Sequence, residues 1–363
     1  MKLAFTFLVL AACGSSSPTT AADAAAGDAG HVADASTGTD AGSGSGSAVV
    51  PEILVGNTFG SVRDFEIGPD AIYPIINIAG HYTLVRCPLS GCSATPHVLG
   101  QVGTSTSGRG VAIAGSTIFW LADDHTIMRA ALDGTGVAQR YQFVTGQIAF
   151  PLRAIGTQLY FNYIPTTFKP VVMTLAGSGT AGPTPLAGTD AQVMGFDEAL
   201  AVADGKVAYW HDEQGLDPHP IEVFDLATSA ITTVASSVDV SGPGFALATS
   251  GIAWVESQTS TSDVRACLFG ATCDATTVGA PTFVALATSG DHVFFTGRTA
   301  DNYATVVTCD IQSLAARTCM PVPLAHPASQ LDLLNLRVLK VTADAIYAGT
   351  DAQGGGALWR IPR

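Results

Sequence analysis

The stretch Val111-Ala112-Ile113-Ala114-Gly115-Ser116-Thr117-Ile118-Phe119-Trp120 contains the pattern that decides the fold of this chain. A short apolar run leads into a Gly-Ser turn, and a β-branched residue followed by two aromatic residues comes directly after it. Two short runs rich in Val, Ile and aromatic residues on either side of a tight turn are typical of a β-hairpin. The stretch therefore predicts two neighbouring antiparallel strands.

The same pattern recurs along the rest of the chain at intervals of 41 to 53 residues. Each aromatic-bearing segment starts at a β-branched residue or leucine, and these residues are Ile72, Ile118, Leu159, Val207, Ile252, Val293 and Ile346. A repeat of about 45 residues that is rich in short strands is typical of the blades of a β-propeller. The sequence thus predicts an all-β fold, a seven-bladed β-propeller of four-stranded antiparallel blades. Six or eight blades are the alternatives if one repeat is misread, and an array of β-sandwiches is the alternative fold.

The fourth repeat shows the expected strands most plainly. We label the strands of a blade a to d from the axis outwards, and predict them over residues 200–202, 207–210, 221–224 and 231–234. Asp204-Gly205 marks the first turn. We expect small apolar residues in strand a, beside the axis, and expect the aromatic residues of strand b to fill the space between blades.

The two ends of the repeat region are predicted to pair. The last repeat supplies only three strands, over 339–341, 345–347 and 358–361, whereas the first repeat is preceded by a spare strand over 52–55. Pairing the spare strand with the last blade closes the ring and removes an exposed sheet edge.

The first residues have the character of an export signal. Lys2 precedes a ten-residue apolar run, 3–12, which is too short to span a bilayer. The run ends Leu10-Ala11-Ala12-Cys13, which resembles the lipobox of bacterial lipoproteins. The resemblance implies cleavage before Cys13 and acylation of that cysteine, palmitate included. An ordinary signal peptide with an incidental cysteine is the alternative.

Three segments follow from this reading: a signal peptide over 1–12, the lipidated cysteine with a flexible tether over 13–49, and the propeller over 50–363. The tether consists of small residues and aspartate without aromatic residues, so it has too little apolar surface to fold. We expect an exported protein that a lipid anchors to the cell envelope. By analogy with sorting rules, Gly14 favours the outer membrane.

The net charge of the chain limits which kinds of macromolecule it is expected to bind. The chain has 16 Lys and Arg against 30 Asp and Glu, a formal net charge of −14. Such a chain does not attract nucleic acid or an anionic membrane surface. Contact with the membrane is therefore expected through the lipid alone, and we expect a monomer.

The cysteines other than Cys13 form three close pairs, Cys87–Cys92, Cys267–Cys273 and Cys309–Cys319. The first member of each pair follows its repeat by 15 or 16 residues, which places each pair across the c–d hairpin. Export to an oxidising compartment favours disulfides that staple these hairpins. Zinc is the competing interpretation, but the spacings are not those of zinc sites.

No standard catalytic motif is present in the sequence, and no cofactor is predicted. In a propeller the b–c and d–a loops emerge on one face. Five histidines and nearby carboxylates are assigned to it, namely His81, Asp123, Asp124, His125, His211, Asp212, Glu213, His219 and His326. Imidazole with carboxylate suits a divalent metal or acid–base chemistry. Equally, polar residues are common in solvated loops. His292 is placed on the opposite face and His31 in the tether.

The segment Arg86-Cys87-Pro88-Leu89-Ser90-Gly91-Cys92, with repeated Ile/Val-aromatic strands behind a low-complexity tether, resembles bacterial cell-envelope lipoproteins with a propeller body. The resemblance covers residues 50–363 and implies architecture, but it carries over no functional residue. We expect a binding or interaction module for a protein, a glycan or another envelope component. The alternative is a metal-assisted lyase or hydrolase that uses the His/Asp face.

Overall fold

The computed structural model has one compact unit over Ser47–Arg363. The described residues are 51–56, 59, 61–92, 95–102, 110–123, 125–144, 147–164, 171–186, 200–210, 219–238, 245–257, 262–271, 273, 285–298, 304–320, 322–324, 336–350 and 356–363. The predicted signal segment, Cys13 and the tether lie outside them.

The described strands form seven antiparallel sheets, six of four strands and one of three. Blade 1 contains β2 (Val62–Ile67), β3 (Ala71–Ile78), β4 (His81–Pro88) and β5 (His97–Gln101). Blade 2 contains β6 (Val111–Ala114), β7 (Thr117–Leu121), β8 (Thr126–Ala131) and β9 (Ala138–Gln142). Blade 3 contains β10 (Gln147–Ile155), β11 (Gln158–Ile164), β12 (Val171–Ala176) and β13 (Thr184–Pro185). Blade 4 contains β14 (Leu200–Ala203), β15 (Lys206–Trp210), β16 (His219–Asp225) and β17 (Ile231–Val238).

Blade 5 contains β18 (Phe245–Leu247), β19 (Gly251–Ser257) and β20 (Ser262–Leu268). Blade 6 contains β21 (Leu286–Ser289), β22 (His292–Arg298), β23 (Ala304–Asp310) and β24 (Val322–Pro323), with the one-turn helix α1 (Ile311–Ala315) after β23. Blade 7 contains β25 (Leu336–Val341), β26 (Ala345–Thr350) and β27 (Leu358–Pro362), and its fourth strand is β1 (Glu52–Val55). Each a strand contacts the a strands of both neighbouring blades, so the sheets form a closed ring and the predicted seven-bladed propeller is confirmed.

The closure between the two ends of the ring is also confirmed. β1 pairs with β27 in antiparallel register, with Ile53 opposite Trp359 and Val55 opposite Leu358. At the rim, the Arg360 guanidinium lies 3.1 Å from the Glu52 carboxylate. Blade 7 therefore has no unpaired edge at β27.

The hydrophobic core is divided into seven clusters, one between each pair of neighbouring blades. Successive residues of a strand point to opposite faces of the sheet. Phe119 accordingly packs against blade 3, whereas the adjacent Trp120 packs against blade 1. Tyr209 and Trp210 divide in the same way between blades 3 and 5. The aromatic pair of a b strand thus supplies a core residue to each of two interfaces.

The predicted Asp-Gly hairpin of blade 4 is a turn with two left-handed residues, Asp204 at φ 47° and Gly205 at φ 72°. Positive φ at both central positions is the geometry of a type I′ turn, which matches the twist of the two strands that it joins.

The segments that follow strand c contact the preceding blade in blades 1, 5 and 6, which the sequence did not predict. In blade 1 the Cys92 N–H donates to the Leu54 carbonyl of β1, at 2.7 Å. In blade 5 the Cys273 N–H donates to the Val234 carbonyl of β17, at 3.1 Å. In blade 6 the connection begins with α1, whose Ile311 packs into the blade 5–6 core.

The cysteines of each predicted pair lie at disulfide distance, with Cα–Cα separations of 4.8, 6.0 and 6.0 Å. Only the first cysteine of a pair lies on a strand, at the end of strand c, and the second lies in the connection. Because that connection rests on the neighbouring blade, a bond between the cysteines stiffens a contact between blades as well as a hairpin.

Blades 2 and 3 have no cysteine, and an arginine of the preceding blade contacts the connection after strand c in each of them. The Arg140 guanidinium on β9 donates to the carbonyl of Ala176 at the end of β12 and to those of Ser178 and Ala181 in the blade 3 connection, at 2.6 to 3.3 Å. Arg86 on β4 donates to the Leu132 carbonyl of the blade 2 connection at 2.9 Å.

Candidate functional site: the central channel

The ring encloses a channel along its axis, with a cavity volume of about 310 Å³. Six of the seven a strands contribute to its wall, and most of the lining side chains are small or aliphatic, such as Ala201, Ala246 and Ala287. Charged residues of three strands interrupt this wall, namely Asp64 on β2, Arg153 on β10 and Lys340 on β25. A mostly apolar cavity with a few polar groups is the usual form of a small-molecule site.

Asp64 is a structural residue. Its side chain is buried, and one carboxylate oxygen accepts the Phe65 N–H at 2.9 Å. The other accepts the N–H groups of Gly110 and Val111 at 3.1 and 3.4 Å. Val111 begins β6, so the carboxylate links the inner strands of blades 1 and 2. These bonds compensate its charge with backbone dipoles.

Lys340 already has an anionic partner. Its ammonium group contacts the Glu66 carboxylate of β2, and both side chains are about one-fifth exposed. The same ammonium lies 5.8 Å from the centre of the Phe65 ring. This ion pair joins blade 7 to blade 1 and neutralises the lysine.

Arg153 is different, because no carboxylate of the described residues lies within ion-pair distance of its guanidinium. Its hydrogen bond in the described part of the chain runs to the carbonyl of the preceding residue, Leu152, at 3.3 Å. The side chain is half-buried in the channel wall. A guanidinium has five N–H groups, and most of those of Arg153 have no acceptor among the residues that the structure describes.

Arg153 and Lys340 lie towards the same end of the channel. Arg153 is two residues from the end of β10 at Ile155, and Lys340 is next to the end of β25 at Val341. Every a strand ends at its a–b turn, so this end opens on the a–b face. The sequence placed the candidate ligand residues on the other face.

Three of the candidates assigned to the b–c and d–a face have described side chains, namely His81, Asp123 and His125. His81 and His125 lie at the beginning of c strands in blades 1 and 2, and both are exposed. Asp123 accepts the His125 N–H at 2.8 Å with one oxygen and the Thr126 hydroxyl at 3.2 Å with the other. These are the bonds of a turn residue that caps its own loop.

The other predicted candidates lie outside the described residues: Asp124, His211, Asp212, Glu213, His326 and the side chain of His219. Among the side chains that are described, no group of three or more His, Cys, Asp or Glu lies close enough to hold a metal ion. No helix of the described residues is long and apolar enough to cross a membrane.

Sequence reasoning did not single out Arg153 or Lys340. A signal was present for Lys340, because it is a charged residue in the predicted strand over 339–341, whereas no strand was predicted around Arg153. In the segments Pro151-Leu152-Arg153-Ala154-Ile155 and Leu339-Lys340-Val341 the charge stands between apolar residues.

No protein-family model matches this chain, and no curated protein matches it. Solved structures do match. YCF48 from Cyanidioschyzon merolae is 11% identical with a TM-score of 0.53, over 86% of this chain and 98% of that one. The β-propeller domain of the Trilobed protease from Pyrococcus furiosus is 10% identical with a TM-score of 0.52, over 84% and 94%.

An oligogalacturonate lyase in complex with manganese is 13% identical with a TM-score of 0.51, over 80% of this chain and 85% of that one. The Pyrococcus propeller is described as having an open velcro topology, whereas β1 and β27 close the ring here. At these identities the similarities concern architecture, and they show that this chain has the fold of a β-propeller.

Proposed function

We propose that this protein is a lipid-anchored binding module of the bacterial cell envelope, whose ring presents a rigid surface to a protein or glycan. The observation that carries the proposal is the closed ring itself. Seven interfaces of buried aromatic and aliphatic side chains hold the blades in place. A rigid body loses little conformational entropy when it binds a partner.

The membrane half of the proposal rests on the lipobox-like Leu10–Cys13 segment and the tether after it. Acyl chains on Cys13 hold the protein in the outer membrane, and the tether lets the ring reach a partner away from the lipid surface. The protein acts as a monomer in this proposal.

Acylation is tested by labelling cells with radioactive palmitate and separating membranes from soluble protein. The natural chain is expected to take up label and to sediment with membranes, whereas Cys13→Ser is expected to be unlabelled and soluble. Ser16→Ala is the control, because it changes a residue close to Cys13 but leaves the lipobox-like segment and every cysteine in place. Equal labelling of the natural chain and Cys13→Ser excludes this anchor.

The binding half is tested by photo-crosslinking in intact cells. A crosslinking amino acid is placed at His81 or His125 on the b–c face, and at His292 on the opposite face, all exposed positions. The expected result is one discrete adduct that forms from one face and not from the other. Absence of an adduct from every position, with the ring folded and located normally, contradicts the proposal.

The alternative enzyme, a metal-assisted lyase or hydrolase, stays a prediction, because six of its nine candidate side chains are not described. Its test is the metal content of protein purified in dilute divalent cations. A stoichiometric metal that is lost in His125→Ala/His211→Ala favours the enzyme over the binding module.

A further inference from the structure

We infer that the central channel is a binding site for a small organic carboxylate with an apolar body, and that the Arg153 guanidinium holds the carboxylate. This site goes beyond the proposed function, since it needs neither the lipid anchor nor a macromolecular partner.

The charged side chains of the channel wall differ in whether they have a partner. Asp64 is bonded to three backbone N–H groups and Lys340 is paired with Glu66. Arg153 also lines the channel, and no carboxylate among the described residues pairs with its guanidinium. Burying part of a guanidinium without an anion is costly, so its position favours an anionic ligand.

The shape of the Arg153 guanidinium determines which anion it can bind best. The planar guanidinium presents parallel N–H bonds that match the two oxygens of a carboxylate. The carbonyl of Leu152 lies 3.3 Å from one terminal nitrogen, Nη1, and takes up little of this donor capacity. A bidentate carboxylate is therefore the anion that suits Arg153 best.

The channel wall around the Arg153 guanidinium is formed mainly by apolar side chains. Ala203, Leu247 and Val341 stand at the a–b end of the channel with Arg153. The Thr288 hydroxyl also lines the channel but donates to the Leu247 carbonyl at 2.6 Å. Apart from Asp64 and Lys340, which already have partners, the other lining side chains are small or aliphatic. They can contact a hydrocarbon body, which a strongly hydrated ion such as phosphate lacks.

The test is calorimetric titration of the full chain with benzoate, benzamide and inorganic phosphate. We expect benzoate to bind at least about tenfold more tightly than its neutral isostere benzamide, because hydrogen bonds between two charged groups are stronger than those to a neutral acceptor. Phosphate is expected to bind more weakly than benzoate. Equal binding of benzoate and benzamide, tighter binding of phosphate, or no detectable binding of benzoate overturns the inference.

The variants locate the site. Arg153→Gln is expected to weaken benzoate binding about tenfold or more and to leave benzamide binding unchanged, and Arg153→Lys should recover part of the loss because it keeps the charge without the fork. Arg129→Gln on β8, outside the channel lining, is the matched control for loss of a positive charge. If Arg129→Gln and Arg153→Gln lose equal affinity, the channel is not the site.

The test of the channel site can fail or succeed independently of the test of the proposed binding module. Photo-crosslinking can fail while benzoate still binds in an Arg153-dependent manner, and the reverse result removes the channel site while leaving the binding module.

Discussion

At the scale of single residues, contacts between blades depend on a few polar side chains that reach a neighbouring loop. Arg140 is the strongest example, because its side chain is only 7% exposed and its guanidinium satisfies three carbonyls of the next blade. The sequence could not predict this contact, since it depends on which loop faces β9 after folding. The aromatic pairs of the b strands were predictable, because alternation along a strand is a local property.

Replacement of Arg140 by methionine is expected to lower the free energy of unfolding by about 2–3 kcal/mol, since three carbonyls lose a charged donor in a buried place. The measurement is urea denaturation followed by tryptophan fluorescence. Arg129→Met, a half-buried arginine on the adjacent strand β8, is the control and should change stability by about 0.5 kcal/mol or less. A similar loss in both variants means that the carbonyl contacts contribute nothing specific.

At the scale of elements, the blade 1 connection holds the closing strand β1 from outside. Gly91, at φ 112°, lies so close that a Cβ added there would stand 2.9 Å from the Leu54 carbonyl oxygen. The next residue, Cys92, donates to that same carbonyl. The sequence predicted the cysteine pair and the spare strand separately, but not their contact. Sequence spacing does not report which strand of another blade a loop will touch.

Gly91→Ala is expected to cost about 2 kcal/mol or more of unfolding free energy, because it adds backbone strain and also pushes on β1. Gly80→Ala is the matched control. Gly80 has φ 89°, but an added Cβ there meets nothing within 4 Å, so only the strain of about 1 kcal/mol is expected. Equal losses, read from denaturation curves, would mean that the contact with β1 does not matter.

At the scale of the whole molecule, the ring depends on one strand that is far from its partners in sequence. Repeats at regular spacing made the blade count predictable, and the incomplete last repeat made the closure predictable. The channel site was not predictable to the same degree, because Arg153 becomes notable only once its strand is known to line the axis and the partners of Asp64 and Lys340 are known.

A chain that starts at Ser47 is expected to unfold like the natural one, whereas a chain that starts at Gly56 lacks β1 and leaves β27 as an exposed edge. We expect the shorter chain to have a clearly lower denaturation midpoint and to aggregate. Light scattering and the urea midpoint measure the two effects. Identical midpoints for the two chains would show that β1 is not needed for the stability of the ring.

The pairing of β1 with β27 also sets the order of events during biosynthesis. Glu52 and Arg360, which form an ion pair between these two strands, are separated by 308 residues. The β1 segment is therefore synthesised long before its partner β27. Until β27 has been synthesised, β1 has no partner strand. The nascent polypeptide therefore carries an unpaired strand that can pair with other chains. Ring closure is therefore a late event, because it cannot occur before the residues of β27 have been synthesised.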